Sequence, residues 1–133
     1  MNNKEGARRA ITELVSRYQS VAMNREEYRK YNEEMTKLRF INPLFNALGW
    51  DIENRNRLDE VTFEDKISRG RVDYLFKING VQKFVLEAKS LKSNIDNPVY
   101  VKQAVDYAYN KRCRWAVLTD FETVKIYNAS IKT

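Results

Sequence analysis

The stretch "FVLEAKS", residues 84–90, places an acid and a lysine two residues apart in an otherwise apolar segment. Side chains alternate between the two faces of a strand, so Glu87 and Lys89 point to the same side. Asp73 lies in the preceding apolar segment, "RVDYLFKI". Two carboxylates on neighbouring strands form an oxygen-rich site for a hard cation such as Mg²⁺. With a lysine nearby, this set suits metal-assisted cleavage of a phosphodiester.

A simpler interpretation is a surface ion pair. Glu and Lys are common neighbours on one strand face, and an exposed pair contributes only about 0–1 kcal/mol. The context favours chemistry, because an acid-bearing strand, an Asn-Gly turn and the acid-lysine strand are followed by a helix that begins at Asn97-Pro98. Apolar neighbours on both sides of the pair also argue against a merely solvated position.

The composition limits the chemistry further. None of the 133 residues is a histidine, which excludes Ser-His-Asp triads, histidine metal ligands and nucleases built around a catalytic histidine. The single Cys113 excludes an internal disulfide and a Cys-rich zinc site. Neither GxxxxGK[ST] nor GxGxxG occurs, so no nucleotide-binding loop is predicted. Carboxylates and lysines remain as the catalytic groups.

Charge and hydropathy indicate the kind of partner and compartment. The net charge is +6 and the sequence pI is about 9.4, which favours a polyanionic partner, most often nucleic acid. No apolar run approaches the length of a membrane span. The beginning, "MNNKEGARRAITELV", lacks the apolar region of a secretion signal. We therefore expect a cytoplasmic protein without a membrane segment.

The hydrophobic pattern predicts the order α-α-β-β-β-α-β-β, an α/β fold with a mixed β-sheet flanked by helices. Residues 4–22 are predicted to form an amphipathic helix. A second helical region extends from an N-cap at Asn24 to about Leu48, with an apolar stripe that includes Leu38 and a kink or restart at Pro43. The segment "DEVTFEDKI" is predicted to be a short strand or an irregular extended segment, and the other predicted strands are "RVDYLFKI", "VQKFVLEAKS", "RWAVLTD" and "ETVKIYNA".

The register of the central hairpin decides whether the two acids can meet. The Asn-Gly pair at 79–80 predicts a tight turn. A regular two-residue turn would place Asp73 opposite Leu86, on the wrong face. The metal site therefore requires an odd-numbered loop or a β-bulge between Asp73 and Glu87. A three-residue loop that also includes the residue before the Asn-Gly pair would place Asp73 opposite Val85, diagonal to Glu87.

The segment "GRVDYLFKINGVQKFVLEAKS" resembles the core of the PD-(D/E)xK nucleases, most closely the N-terminal nuclease domains of type I restriction enzyme R subunits and of related type IIG restriction enzymes. Val72 stands where that family has a proline before the aspartate. Upstream, "NEEMTKLRFINPLFNALGWD" is similar to the helix that precedes the core. Downstream, "QAVDY" matches the QxxxY pattern and "AVLTDFETVKIYN" resembles the closing strands, so the resemblance covers about residues 31–128.

The resemblance implies a role for each matching residue. Asp73 and Glu87 correspond to metal ligands, the backbone carbonyl of Ala88 adds a third oxygen, and Lys89 corresponds to the catalytic lysine. The implied cofactor is Mg²⁺, for which Mn²⁺ should substitute. Glu33 corresponds to the helical acid, which holds a water or a second metal ion.

Three further assignments stay open at this stage. Helical spacing slightly favours Glu34 over Glu33 as the inward-pointing acid, and both are also typical of a solvated helix start. The resemblance places Gln103 and Tyr107 near the active site or DNA phosphate, although an ordinary helix side with Tyr107 in the core is equally expected. Candidate phosphate contacts, each also typical of a solubilising charge, are Arg69, Arg71, Lys92 and Lys111–Arg114.

The resulting expectation is a single nuclease-like domain over residues 1–133, with an N-terminal helix over 1–24 and a nuclease core over 25–133. It would act as a Mg²⁺-dependent endonuclease on double-stranded DNA, together with motor, methyltransferase or recognition domains beyond this chain. The alternative is a catalytically inactive nuclease-like module for DNA binding or assembly. A structural or RNA-binding α/β domain is a third interpretation, which predicts no binding of divalent metal.

Overall fold

The computed structural model describes residues 4–67 and 70–130. Its helices are α1 Lys4–Met23, α2 Arg25–Lys30, α3 Glu33–Thr36, a π-helical segment Lys37–Ile41, α4 Asn42–Ala47 and α5 Pro98–Asn110. Its strands are β1 Val61–Ile67, β2 Gly70–Ile78, β3 Val81–Ala88, β4 Trp115–Thr119 and β5 Val124–Asn128. The predicted mixed sheet flanked by helices is therefore confirmed.

The sheet has the order β1-β2-β3-β4-β5. Strands β3 and β4 are parallel, whereas the other neighbouring pairs are antiparallel. Helix α5 connects the two parallel strands, as such a crossover requires. Its start agrees with the sequence, because the Asn97 side chain accepts a hydrogen bond from the backbone of Val99 and Pro98 occupies the first turn.

The two faces of the sheet bury different groups of side chains. One face packs against the π-helical segment and α4, with a core of Ile41, Phe45, Ile52, Val61, Tyr74, Phe76, Leu86, Ala88 and Val117. The second core, which lies under α5, consists of Val72, Leu75, Val85, Ala104, Tyr107, Ala108, Cys113, Ala116 and Ala129. A third cluster attaches α1 to the remainder through Leu14, Val21, Tyr31, Phe40 and Leu91.

The helical region before the sheet differs from the prediction of one helix from Asn24 to about Leu48. Asn24 does cap a helix, because its side chain accepts from the backbone N–H of Glu27, but this helix ends at Lys30. Asn32 then caps a new helix by accepting from the backbone of Met35 at 2.9 Å. The second cap was not predicted, since an asparagine within a helical pattern gives no unique stop signal.

The expected disturbance at Pro43 takes the form of a π-helical turn before it. The backbone N–H of Asn42 donates to the carbonyl of Lys37, five residues earlier. Pro43 has no N–H to donate to the carbonyl of Arg39. That carbonyl instead accepts a hydrogen bond from the Arg17 guanidinium of α1, at 3.3 Å. The irregular turn is thus tied to the neighbouring helix.

The π turn also changes which side chains face the core. Leu38 and Leu48, which the regular helical stripe predicted to be buried, are exposed. Phe40 is buried instead, next to the buried Ile41 of the same turn. The extra residue in a π turn rotates the preceding helix relative to a regular 3.6-residue repeat, so a stripe drawn across it is out of phase.

The central hairpin has a two-residue turn, so the predicted three-residue loop is wrong. Ile78 pairs with Val81. Asn79 and Gly80 between them have φ values of 51° and 78°, the conformation that suits a tight hairpin turn. The required irregularity is present further along the strands as a β-bulge.

Lys83 is the extra residue of this bulge. Phe76 pairs with Phe84 whereas Lys77 pairs with Gln82, so Lys83 has no partner on β2. The shift changes the register by one residue between the turn and the far end of the strands.

Among the helices within 4–67 and 70–130, none has both the length and the apolar character needed to cross a bilayer.

Candidate active site

Asp73 and Glu87 lie across from each other at the end of the β2–β3 hairpin opposite the turn. Tyr74 pairs with Leu86; Asp73 directly precedes Tyr74 in β2, and Glu87 directly follows Leu86 in β3. The Asp73 backbone N–H donates to Glu87 Oε1 at 3.3 Å, and the Ala88 N–H donates to Asp73 Oδ2 at 2.8 Å. The bulge therefore brings Asp73 opposite Glu87, not opposite Val85 as the three-residue loop predicted.

Both carboxylates are largely removed from solvent. The side chains of Asp73 and Glu87 are 12% and 14% exposed. Burial raises the pKa of Glu87 to about 8, and the negative charge of Asp73 adds to this rise, while Lys89 opposes it. A positive charge beside this buried pair of acids favours its ionised form.

Lys89 lies on the Glu87 side of the acidic pair. Its Nζ is 3.5 Å from Glu87 Oε2, and its side chain is 13% exposed. The ammonium also lies 4.3 Å from the centre of the Tyr100 ring, in the first turn of α5. The Lys89 backbone N–H donates to the carbonyl of Thr119 at the end of β4, at 2.8 Å. Strand, helix and neighbouring strand thus all position this lysine.

A second lysine, which the sequence reasoning did not include, contacts the other acid. Lys37 Nζ lies 2.7 Å from Asp73 Oδ1 and 3.3 Å from Glu34 Oε1. Burial by itself lowers the pKa of Lys37, but the hydrogen bond to Asp73 and the charges of both acids raise it overall. The available sequence signal was the spacing of Glu34 and Lys37, three residues apart, which is also typical of an ordinary helical ion pair.

The two candidate helical acids occupy different positions. Glu34 is connected to Asp73 through Lys37, but its side chain is 79% exposed, so the expectation that it points inward is wrong. Glu33 is half-buried at the start of α3. Its carboxylate has no hydrogen bond or ion pair with another residue in the described part of the chain. The role implied for Glu33 stays a prediction.

The QxxxY residues of α5 differ in their surroundings. Tyr107 is buried in the second core, whose other members include Leu75 and Val85 of the sheet. Gln103, one turn earlier, is exposed. Tyr107 is therefore part of the core, as one of the two interpretations expected. The implied contact of Gln103 with DNA stays a prediction. The aromatic ring above which the Lys89 ammonium lies is that of Tyr100, in the same helix.

Only some of the candidate phosphate contacts belong to the residues that the structure describes. Arg69 and the side chain of Arg71 lie outside the described residues. Lys92 Nζ donates to the carbonyl of Arg29 at 2.7 Å, and the Arg114 guanidinium lies 5.1 Å from the centre of the Trp115 ring. These contacts favour structural roles for Lys92 and Arg114.

The structure shows no larger cluster of metal-binding side chains among those that it describes, which exclude the side chains of residues 64–71. Within that set, no three side chains from His, Cys, Asp and Glu converge on one point. Two carboxylates, with backbone oxygen and water, still suit Mg²⁺, which commonly binds through one or two carboxylates and keeps several waters. A groove of about 330 Å³ leads to Asp73 and is also lined by Glu34 and Lys37.

The sheet and the site together define an α/β domain compatible with the restriction-endonuclease-like fold. The chain belongs to the family described as type I restriction enzyme R protein N terminus, whose model matches residues 57–133. The match includes β1 to β5 and the acidic pair with Lys89, whereas α1 to α4 precede it.

The similarity to one curated relative extends over nearly the whole chain. The sequence is 30% identical over 145 residues to the type II restriction enzyme and methyltransferase RM.Eco57I of Escherichia coli. This similarity covers 98% of the chain but only 14% of the length of that relative. No solved structure matches the chain.

Proposed function

We propose that this chain is a Mg²⁺-dependent DNA endonuclease domain of a restriction enzyme, with a PD-(D/E)xK type of active site. The single observation that carries the proposal is the bulge at Lys83, which places Asp73 opposite Glu87 at the end of the hairpin. Lys89 then lies 3.5 Å from Glu87 on the same side of the strand. A structural ion pair would need neither the second acid nor the change in register.

The proposed metal ligands are Asp73, Glu87 and the backbone carbonyl of Ala88. The backbone of Ala88 already lies next to Asp73, because the Ala88 N–H donates a hydrogen bond to Asp73 Oδ2. All the donors are oxygens, which suits Mg²⁺ or Mn²⁺. When bound, such a cation polarises a phosphoryl oxygen and lowers the pKa of a water.

Lys89 would be the catalytic lysine. Its ammonium is held between Glu87 and the ring of Tyr100, which shields it from most of the surrounding water. A charge fixed in this way stabilises the negative charge that develops on a phosphate in the transition state, without reorganisation of solvent. Glu33, on the helical side, would hold a water close to the reacting phosphate.

The proposed substrate is double-stranded DNA. The net charge of +6 supports a polyanionic partner. Because the chain spans about 14% of the length of its curated relative, we propose that motor, methyltransferase or recognition domains act together with it.

One observation favours the alternative of an inactive nuclease-like module. Lys37 already neutralises Asp73 at 2.7 Å, as it would in a site that had lost its metal. The two functions differ in one measurable respect, because only the endonuclease cleaves DNA when a divalent metal is added.

The test is cleavage of a supercoiled plasmid with Mg²⁺ or Mn²⁺, together with calorimetric titration of Mn²⁺. Asp73→Asn and Glu87→Gln, alone and combined, keep the side-chain shapes while they remove the charges. We expect wild type to bind Mn²⁺ and to nick the plasmid, and the double variant to do neither. Asp59→Asn is the matched control, because Asp59 pairs with Lys77 away from the site.

Thermal unfolding establishes that each variant is folded. The endonuclease proposal fails if folded wild type and the double variant bind Mn²⁺ equally. If wild type binds Mn²⁺ but does not nick DNA, even when DNA binding is shown, the inactive module is the better description.

A further inference from the structure

The two acids of the site have separate positive partners. Lys89 lies 3.5 Å from Glu87, whereas Lys37 lies 2.7 Å from Asp73 and belongs to the helical side of the molecule. The side chains of Lys37 and Asp73 are 13% and 12% exposed, so their contact is shielded from water. The Coulomb attraction in such a contact is screened less by water than that of an exposed pair on a helix surface.

Lys37 is held in place by an irregular piece of backbone. It begins the π-helical segment, and its own carbonyl accepts a hydrogen bond from the backbone N–H of Asn42, five residues later. The Asn42 side chain in turn accepts a hydrogen bond from the hydroxyl of Tyr74, the residue that follows Asp73. The π turn is thus fastened to β2 beside the acid, and single π turns are frequent at functional sites.

Lys37 also has a second partner on the solvent side. Glu34 Oε1 is 3.3 Å from its Nζ, and the Glu34 side chain is largely exposed. The groove that leads to Asp73 is lined by both of these residues. The ammonium can therefore leave Asp73 for Glu34 and solvent by rotation of its own side chain.

We infer that Lys37 and a divalent cation compete for the same oxygen of Asp73, so that Lys37 limits the metal affinity of the site. The inference rests on the proposed function, because it presupposes a metal ion at Asp73. An ammonium hydrogen-bonded to Asp73 Oδ1 occupies a ligand atom of the cation and repels its charge. Lys37 is therefore a positioning residue that acts through Asp73.

The first test is calorimetric titration with Mn²⁺ alone. Lys37→Gln should bind Mn²⁺ about tenfold more tightly than wild type, because loss of the ammonium frees Asp73 Oδ1 and removes a positive charge that repels the cation. The matched control is Lys77→Gln, because Lys77 is as shielded as Lys37 and pairs at 3.0 Å with Asp59, an acid outside the site. This control should leave the Mn²⁺ affinity unchanged. Equal or weaker binding by folded Lys37→Gln overturns the inference.

The second test uses wild type, so it does not depend on the folding of a variant. Acetylation of lysines, measured by mass spectrometry, should increase at Lys37 when Mn²⁺ is added and stay constant at Lys77. Unchanged or reduced labelling of Lys37 at saturating Mn²⁺ overturns the inference. If wild type binds no Mn²⁺ at all, both this inference and the proposed metal site are wrong, whereas binding without competition contradicts the inference alone.

Discussion

The strand side and the helix side of the candidate site are built in different ways. On the strand side, Glu87 lies in β3 and Lys89 follows directly after it, while Asp73 faces Glu87 from β2 in a register that the bulge at Lys83 sets. On the helix side, Lys37 reaches the same cluster from a π turn that depends on tertiary contacts. Under the proposed function, the strand side supplies the metal ligands and the catalytic lysine, while the helix side adjusts the charge around them.

The largest effect is expected on the strand side, for Lys89→Ala. Loss of its ammonium should reduce plasmid cleavage about 10²- to 10³-fold, the usual cost of removing one group that stabilises transition-state charge. Mn²⁺ binding should persist, because both carboxylates remain. The measurement compares single-turnover cleavage with calorimetric affinity.

Lys77→Ala is the matched control for this substitution. The side chains of Lys77 and Lys89 have similar exposures, 15% and 13%, and each pairs with an acid. A folded Lys89→Ala protein that cleaves at the wild-type rate would remove this lysine from the mechanism. A comparable loss in Lys77→Ala would point to stability instead of chemistry.

How much of this site could be predicted differs between the two sides. The strand side could be predicted because period-two alternation places Glu87 and Lys89 together, and the Asn-Gly turn identifies the partner strand. The need for an irregular register also followed from counting residues. Its form did not follow, because a longer loop and a bulge at Lys83 change the register by the same parity.

The helix side was harder to predict for a physical reason. A π turn is only marginally different from an α-helix in local preference, and here it is stabilised by distant groups such as Arg17 and Tyr74. A regular helical repeat drawn through Pro43 therefore placed Leu38 in the core and Glu34 inward, both wrongly. The same displacement concealed Lys37 as a partner of Asp73.

An intermediate effect is expected for the two helical acids, and it tests which of them serves the reaction. Glu33→Gln should lower cleavage about 10-fold or more if Glu33 holds a water near the phosphate, since supporting residues of metal sites usually contribute 10- to 100-fold. Glu34→Gln should change cleavage less than about fivefold, because its ion pair is mostly exposed.

The pair of substitutions is self-controlled, since both remove one charge from the first turn of the same helix. Circular dichroism and thermal unfolding should show the same fold for both variants. A larger loss of cleavage for Glu34→Gln than for Glu33→Gln would reverse the assignment and would extend the catalytic role to the helix side through Lys37.

The smallest effect is expected for deletion of Lys83. This deletion tests the β2–β3 register, which places Asp73 opposite Glu87. Beyond the bulge, Phe76 pairs with Phe84, and before it Lys77 pairs with Gln82. Without Lys83 the two paired segments join into one uninterrupted ladder, and both keep their partners. Asp73 should therefore still face Glu87, and Mn²⁺ affinity and cleavage should stay close to wild type.

Lys83→Ala separates the charge of this exposed residue from its effect on the backbone, and should also behave as wild type. The deletion is informative because most single-residue deletions in a strand move every later side chain to the other face. If the deletion variant folds but no longer binds Mn²⁺, the bulge must orient the acids by more than their pairing. In that case the local twist at the bulge, and not the count of residues alone, would set the geometry of the metal site.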